Sequence, residues 1–292
     1  MERARTDWLL IQRNVILCLL LMLTVASWAL IVWQASAGSM DGTAMASPTM
    51  GMRAPLFLAT WTVMMVAMMA PAAAPMVLTF HRIQFGKCQR GETFVATWVF
   101  VAAYMLVWAL SGIAAYAGAV VAETIATRFA LPSAAAARIG GVLLVAAGLY
   151  QLTPLKDRCL TQCRTPIGFI MTSWRDGLAG ALQMGLRHGL YCLGCCWLLF
   201  VVLFPLGIMN ISAMAAVTLV IFAEKTLPWG RPVARATAAA LVAYGAMVLA
   251  EPRSLPTFMA EGGMIMTTPA APIGQPMHEM KGMSMPGSVP TR

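Results

Sequence analysis

Apolar residues fall in long runs separated by short polar stretches, and most runs are close to the roughly 20 residues that carry an α-helix across a bilayer. They cover residues 14–34, 55–80, 93–120, 139–155, 188–209, 211–227 and 232–250. The fifth can be extended back to about Asp176. The sixth is separated from the fifth by little more than Asn210 and Ser212. The pattern predicts an all-α fold: a polytopic transmembrane helical bundle of about seven spans. A basic residue at Arg13, an apolar run and then Ala35-Ser36-Ala37 also resemble a secretory signal with its cleavage site, which would leave six mature spans.

The polar stretches set the expected orientation. Lys and Arg gather before the first run (Arg3, Arg5, Arg13), after the second (Arg82, Lys87, Arg90), after the fourth (Lys156, Arg158, Arg164, Arg175) and after the sixth (Lys225, Arg231). The alternate stretches are poorer in them. Short loops rich in Lys and Arg stay cytoplasmic, so the expected placement is a bacterial inner membrane, N-terminus inside and C-terminus outside. Four regions follow: 1–34, a span or signal anchor; 35–54, an outside loop containing Met; 55–250, the helical membrane domain expected to bind metal; and 251–292, a Pro-, Gly-, Met-, Ser- and Thr-rich outside tail without periodicity, expected to be disordered.

Composition sharpens this picture. The chain of 292 residues is 60% hydrophobic and 11% charged, with a mean hydropathy of +0.75, whereas a soluble domain carries about 25% charged residues. The net charge of +9 sits at run ends rather than in a basic stripe, which argues against nucleic-acid binding. With no Walker loop, triad order or CxxCH, nothing points to an NTPase, a hydrolase or a haem enzyme. The expectation is a protein that is not an enzyme, with the lipid bilayer as its first partner.

Sulfur is the unusual component: 24 Met and 7 Cys against 3 His. On the expected topology the two sulfur types separate. Met40, Met45, Met50 and Met52 lie in the first outside loop, and seven more Met lie in the outside tail, where Met277, His278, Met280, Met283 and Met285 form a compact run. All seven Cys fall in the cytoplasmic half. Thioethers need no deprotonation and form no disulfide, so they suit capture of a soft ion outside; thiolates bind more tightly on the reducing side. The bland alternative is that Met fills gaps and Cys is inert.

Three segments carry the candidate ligands. In the second run Met64 and Met68, and Met65 and Met69, are each four apart and so share a helix face, with Met76 further on. Pro71 frees the carbonyl of Ala67, and with Pro75 it suggests an irregular, cavity-lining span. In the fifth run Cys192, Cys195 and Cys196 follow His188, with glycines at 185, 189 and 194 that permit close approach of another segment. Arg187 and His188 would supply positive charge near these thiols. Cys159 and Cys163 form a further pair with Cx3C spacing. Asn210 and Glu224 are supporting candidates near opposite ends of the sixth run, where Glu224 and Lys225 are expected to pair or snorkel.

The stretch from Trp61 to Met76, then Tyr150-Gln151-Leu152-Thr153-Pro154-Leu155-Lys156 with Cys159, Cys163, Arg164 and Pro166, then Gly189 to Trp197, Gly207-Ile208-Met209-Asn210, Met214 and Glu224-Lys225 resemble a bacterial family described as predicted metal-binding integral membrane proteins, some of them labelled copper chaperones. The likeness runs over residues 56–250 and implies a metal-binding membrane protein. Ligand softness puts Cu(I) ahead of zinc. The expected role is transport of the ion or its delivery, with a cuproenzyme or a periplasmic copper carrier as partner and oligomerisation open. The competing readings are a membrane thiol oxidoreductase and a structural or assembly subunit.

Overall fold

A computed structural model describes residues 2–38, 49 and 51–255, and among these the regular structure is entirely helical. The helices are α1 (Glu2–Gly38), α2 (Ala54–Gln89), α3 (Thr97–Arg128), α4 (Ser133–Tyr150), α5 (Pro154–Arg164), α6 (Pro166–Ser173), α7 (Gly177–Val201), α8 (Leu203–Leu206), α9 (Ile211–Thr226) and α10 (Gly230–Ala250). The Met-rich tail, including Met277, His278, Met280, Met283 and Met285, lies outside the described residues.

Among the described residues, six helices are long and apolar enough to cross a membrane: α1, α2, α3, α4, α7 with its extension α8, and α10. The expected sixth span, α9, is not among them, although it carries the chain back from the α8 turn to the end of the bundle where α10 starts. Helix α9 has 16 residues, about 24 Å at 1.5 Å per residue, which falls short of a hydrocarbon core of about 30 Å. It is short for a local reason. The apolar run before it is spent on α7 and α8, the chain turns at Gly207 with φ +91°, and α9 ends inside the bundle on buried Glu224 and Lys225. The six are not those left by signal removal, because α1 is one of them.

Contacts between helices set their directions. His81 meets Gln12 and Trp28 meets Ala67, so α1 and α2 are antiparallel. Trp61 meets Trp108, and Phe80 stacks on Phe100, so α2 and α3 are antiparallel. Helices α3 and α7 run parallel, with Gly185 against Phe100 and Gly189 against Val107. Helix α10 returns antiparallel along α4, where Gly141 meets Gly245 and Gly148 meets Val242. Helix α9 runs back along α7, from the α8 turn to Cys192. The start of α1, the α2–α3 turn, α5, α6 and the start of α10 therefore share one end of the bundle. That end collects the segments richest in Lys and Arg.

Helix α2 continues through Pro71 and Pro75 without a break. Proline at 71 cannot donate to the carbonyl four residues back, and the Trp28 indole Nε1 donates to that Ala67 oxygen at 3.2 Å. Large apolar side chains also cover the outside: Leu19, Leu21, Met22 and Val25 of α1 and Leu110 and Ile113 of α3 are exposed. Helices apolar on all sides suit a lipid solvent.

Candidate metal centre

Cys192 lies in α7 where α2, α3, α5 and α9 converge on it. Its Sγ hydrogen-bonds with the Tyr104 hydroxyl of α3 at 3.1 Å. It accepts from Lys225 Nζ of α9 at 2.9 Å and lies 4.0 Å from Met69 Sδ of α2. Lys225 Nζ is also 4.0 Å from that Met69 sulfur. Cys195 and Cys196 stand three and four residues along the same helix, and their thiols both donate to the Cys192 carbonyl, at 3.1 and 2.8 Å. All three thiols are buried.

Helix α5 supplies the next sulfurs. Thr153 caps it by accepting from Lys156 N at 3.3 Å, and Pro154 occupies its first turn, where the missing N–H costs nothing. Its Cx3C spacing turns both cysteines toward α7. Cys163, half-buried on the same helix, packs against the cluster that holds Cys192 and Cys195, and these neighbouring thiols push its own thiol pKa well up. Cys159 packs against Gly194, where an added Cβ would stand 3.0 Å from its Sγ; burial pushes that thiol up. Gly194 is therefore the residue that lets α5 lie this close.

Met64, Met65, Met68 and Met69 are buried in the same cluster as these cysteines, joined by Met214 of α9 and flanked by Met52 and Met209. Met76 is placed elsewhere, in a second cluster with Phe80, Phe100, Phe169 and Met184. His188 is buried one turn before Cys192, among the rings of Phe100, Tyr104 and Phe169. Its Nδ1 has no hydrogen-bond partner among the described residues. Asn210 caps α9, accepting from Ala213 N and donating to Leu206 O, both at 3.1 Å, so both ends of its amide are in use. Glu224 does not pair with Lys225; it accepts from Lys156 Nζ at 2.7 Å. The cation at Cys192 is thus Lys225, while Arg187 is exposed on α7.

Sequence reasoning missed Lys225 and Tyr104 as neighbours of Cys192, and Lys156 as the partner of Glu224. Two lysines in apolar surroundings were the available signal, since an ionisable group in a membrane span has a partner or a task. Among the described residues, no three His, Cys, Asp or Glu side chains stand as a ready-made metal cage. Two of the thiols are occupied with a backbone carbonyl instead. The donor chemistry nevertheless fits a soft monovalent ion: buried thiols from two helices and a thioether from a third, with no carboxylate at the sulfurs.

No curated protein and no solved structure is similar enough to the chain to match it. A family model, PpoB2, described as "Copper chaperone", matches residues 58–248. That span holds α2 through most of α10, including every sulfur placed at Cys192, and the chain belongs to this copper chaperone family.

Proposed function

We propose that the chain is a multi-pass protein of a bacterial inner membrane, N-terminus in the cytoplasm and C-terminus outside, that binds Cu(I) and hands it to a cuproenzyme. The observation that carries this reading is Cys192, a buried thiol in contact with Met69 and Lys225 at once, with Cys163 packed against the same cluster. Cu(I) is held by two or three sulfurs. Cys192 supplies the first, and Cys163, Cys195 or Cys196 turns away from its present partner to supply the second. A two-thiolate Cu(I) centre carries one negative charge, and a charge kept inside a bundle needs a counter-charge. Lys225 balances it. Met69 is the adjoining thioether, and Met64, Met65 and Met68 extend the soft surface along α2 from Met52 toward the thiols. The chain performs no catalysis in this reading; it holds and releases an ion.

Delivery is favoured over transport because the thiols and the lysine make a holding site. The alternation of Lys- and Arg-rich ends along the bundle supports the orientation. The test is the copper content of detergent-purified protein loaded with Cu(I) under reducing conditions, beside Cys192→Ser/Cys195→Ser/Cys196→Ser. Copper held by the natural protein and lost by the triple variant supports the site. An unloaded natural protein overturns it. Copper-dependent accumulation in sealed vesicles, without transfer to an acceptor protein, would move the role from delivery to transport.

A further inference from the structure

Two adjoining clefts, of about 440 and 420 Å³, open at the Lys- and Arg-rich end of the bundle between α5 and α10. They share Asp157, Leu160 and Arg231. The first adds Gln151, Lys156 and Arg235, and the second adds Arg164. The lining is unequal in charge: three arginines face one aspartate, while the Lys156 ammonium is already turned to Glu224. Arg231 is clamped to Asp157 by two hydrogen bonds of 3.1 Å. Arg235 makes no ion pair among the described residues.

The second observation is Gln151. It is 6% exposed, it lines the first cleft, and neither its Oε1 nor its Nε2 has a hydrogen-bond partner among the described residues. A buried amide left without partners is destabilising, so a ligand bonding to it is favoured. Leu152, which is exposed, Leu160 and Ala234 add apolar surface to the first cleft. Arginines beside an unpaired amide and an exposed apolar side chain fit a phosphate carried on an acyl chain.

We propose that the α5–α10 cleft binds the phosphate group of an anionic phospholipid, with Arg231 and Arg235 on the phosphate, Gln151 Nε2 donating to it, and Leu152 beside the acyl chain. The proposal rests on the membrane placement given above. It concerns a surface separate from the sulfur cluster, at the outer side of the helix that carries Cys159 and Cys163.

Native mass spectrometry of the full chain in detergent, titrated with phosphatidylglycerol, phosphatidylcholine or inorganic phosphate, tests it. The expected result is retention of phosphatidylglycerol over phosphatidylcholine, weakened about fivefold for each of Arg231→Gln and Arg235→Gln. Asp157→Asn releases Arg231 from its clamp and should tighten retention, an effect that a merely structural role for the pair would not produce. Displacement of the lipid by millimolar inorganic phosphate would keep the phosphate site and assign it to a soluble ion. Equal retention of both lipids, or unchanged retention in the double arginine variant, overturns the proposal. Pelleting of the chain with alkaline-washed membranes checks the membrane placement independently.

Discussion

Cys192 Sγ shares its surroundings with a phenol, an ammonium and a thioether, and no other described cysteine gathers contacts from so many helices. Lys225 decides how this sulfur behaves. It stands within 2.9 Å of the thiol and 4.0 Å of the neighbouring thioether, in the region a soft ion would enter. Two effects compete there. The ammonium repels an arriving cation, but it also balances the anionic two-thiolate product. The second wins once both thiols have lost their protons, because the bound centre is then negative overall and cut off from water. Lys225→Met should therefore weaken Cu(I) binding in a competition titration by about 10- to 100-fold, the range seen when a group behind a metal ligand is removed. Lys225→Arg, which keeps the charge, should recover part of the loss. Binding that tightens in Lys225→Met would mean that repulsion dominates and that the lysine guards the site instead.

At the scale of the helix, the prolines of α2 are tied to α1. Pro71 leaves the Ala67 carbonyl without its helical donor, and Trp28 supplies one. Trp28→Phe keeps an aromatic ring but strands that oxygen, and should lower stability by about 1–3 kcal/mol. Pro71→Ala returns an N–H to the helix, so the double variant should lose much less than Trp28→Phe alone. Thermal unfolding in detergent of the two single variants and the double one reads this coupling; additive losses would show that the indole bond does not matter. This also marks the boundary of what the sequence could tell. The orphaned carbonyl at Ala67 was legible, since proline chemistry is local. Its donor was not, because Trp28 is 39 residues away and an apolar run does not reveal which face meets a neighbour. The same limit explains α9. Its apolar length suggested a span, but Glu224 and Lys225 end it inside the bundle, where partners from α5 and α7 make burial tolerable.

In the molecule as a whole, the Lys156–Glu224 pair joins α5 to α9 with side-chain exposures of 1% and 2%, one residue from the Lys225 that contacts Cys192. The clustering of Cys192, Cys195 and Cys196 could be read without coordinates, because helical spacing alone puts them on neighbouring faces. The Lys156–Glu224 pair could not: Lys156 read as a loop cation and Glu224 as a partner for Lys225, and only the docking of α5 onto α7 and α9 exchanges those partners. The pair gives a way to separate architecture from ligation. Glu224 Oε1 has no hydrogen-bond partner among the described residues, so Lys156 is the one described side chain that hydrogen-bonds the carboxylate, with the Lys225 charge nearby. Lys156→Met should leave that charge buried without its hydrogen-bonded partner, at a cost of up to about 3–5 kcal/mol. Lys156→Met/Glu224→Leu removes both charges together, and replacing a buried pair by apolar residues of similar volume is often neutral or stabilising. The double variant should therefore unfold near the natural protein while the single one unfolds well below it. Copper loading of the same proteins completes the argument. If the double variant is stable and still binds Cu(I), the pair is a brace that positions Cys159 and Cys163 against α7. A stable double variant that binds no copper would place Glu224 in the ion's path, and the holding site would then extend beyond the sulfurs to the carboxylate behind them.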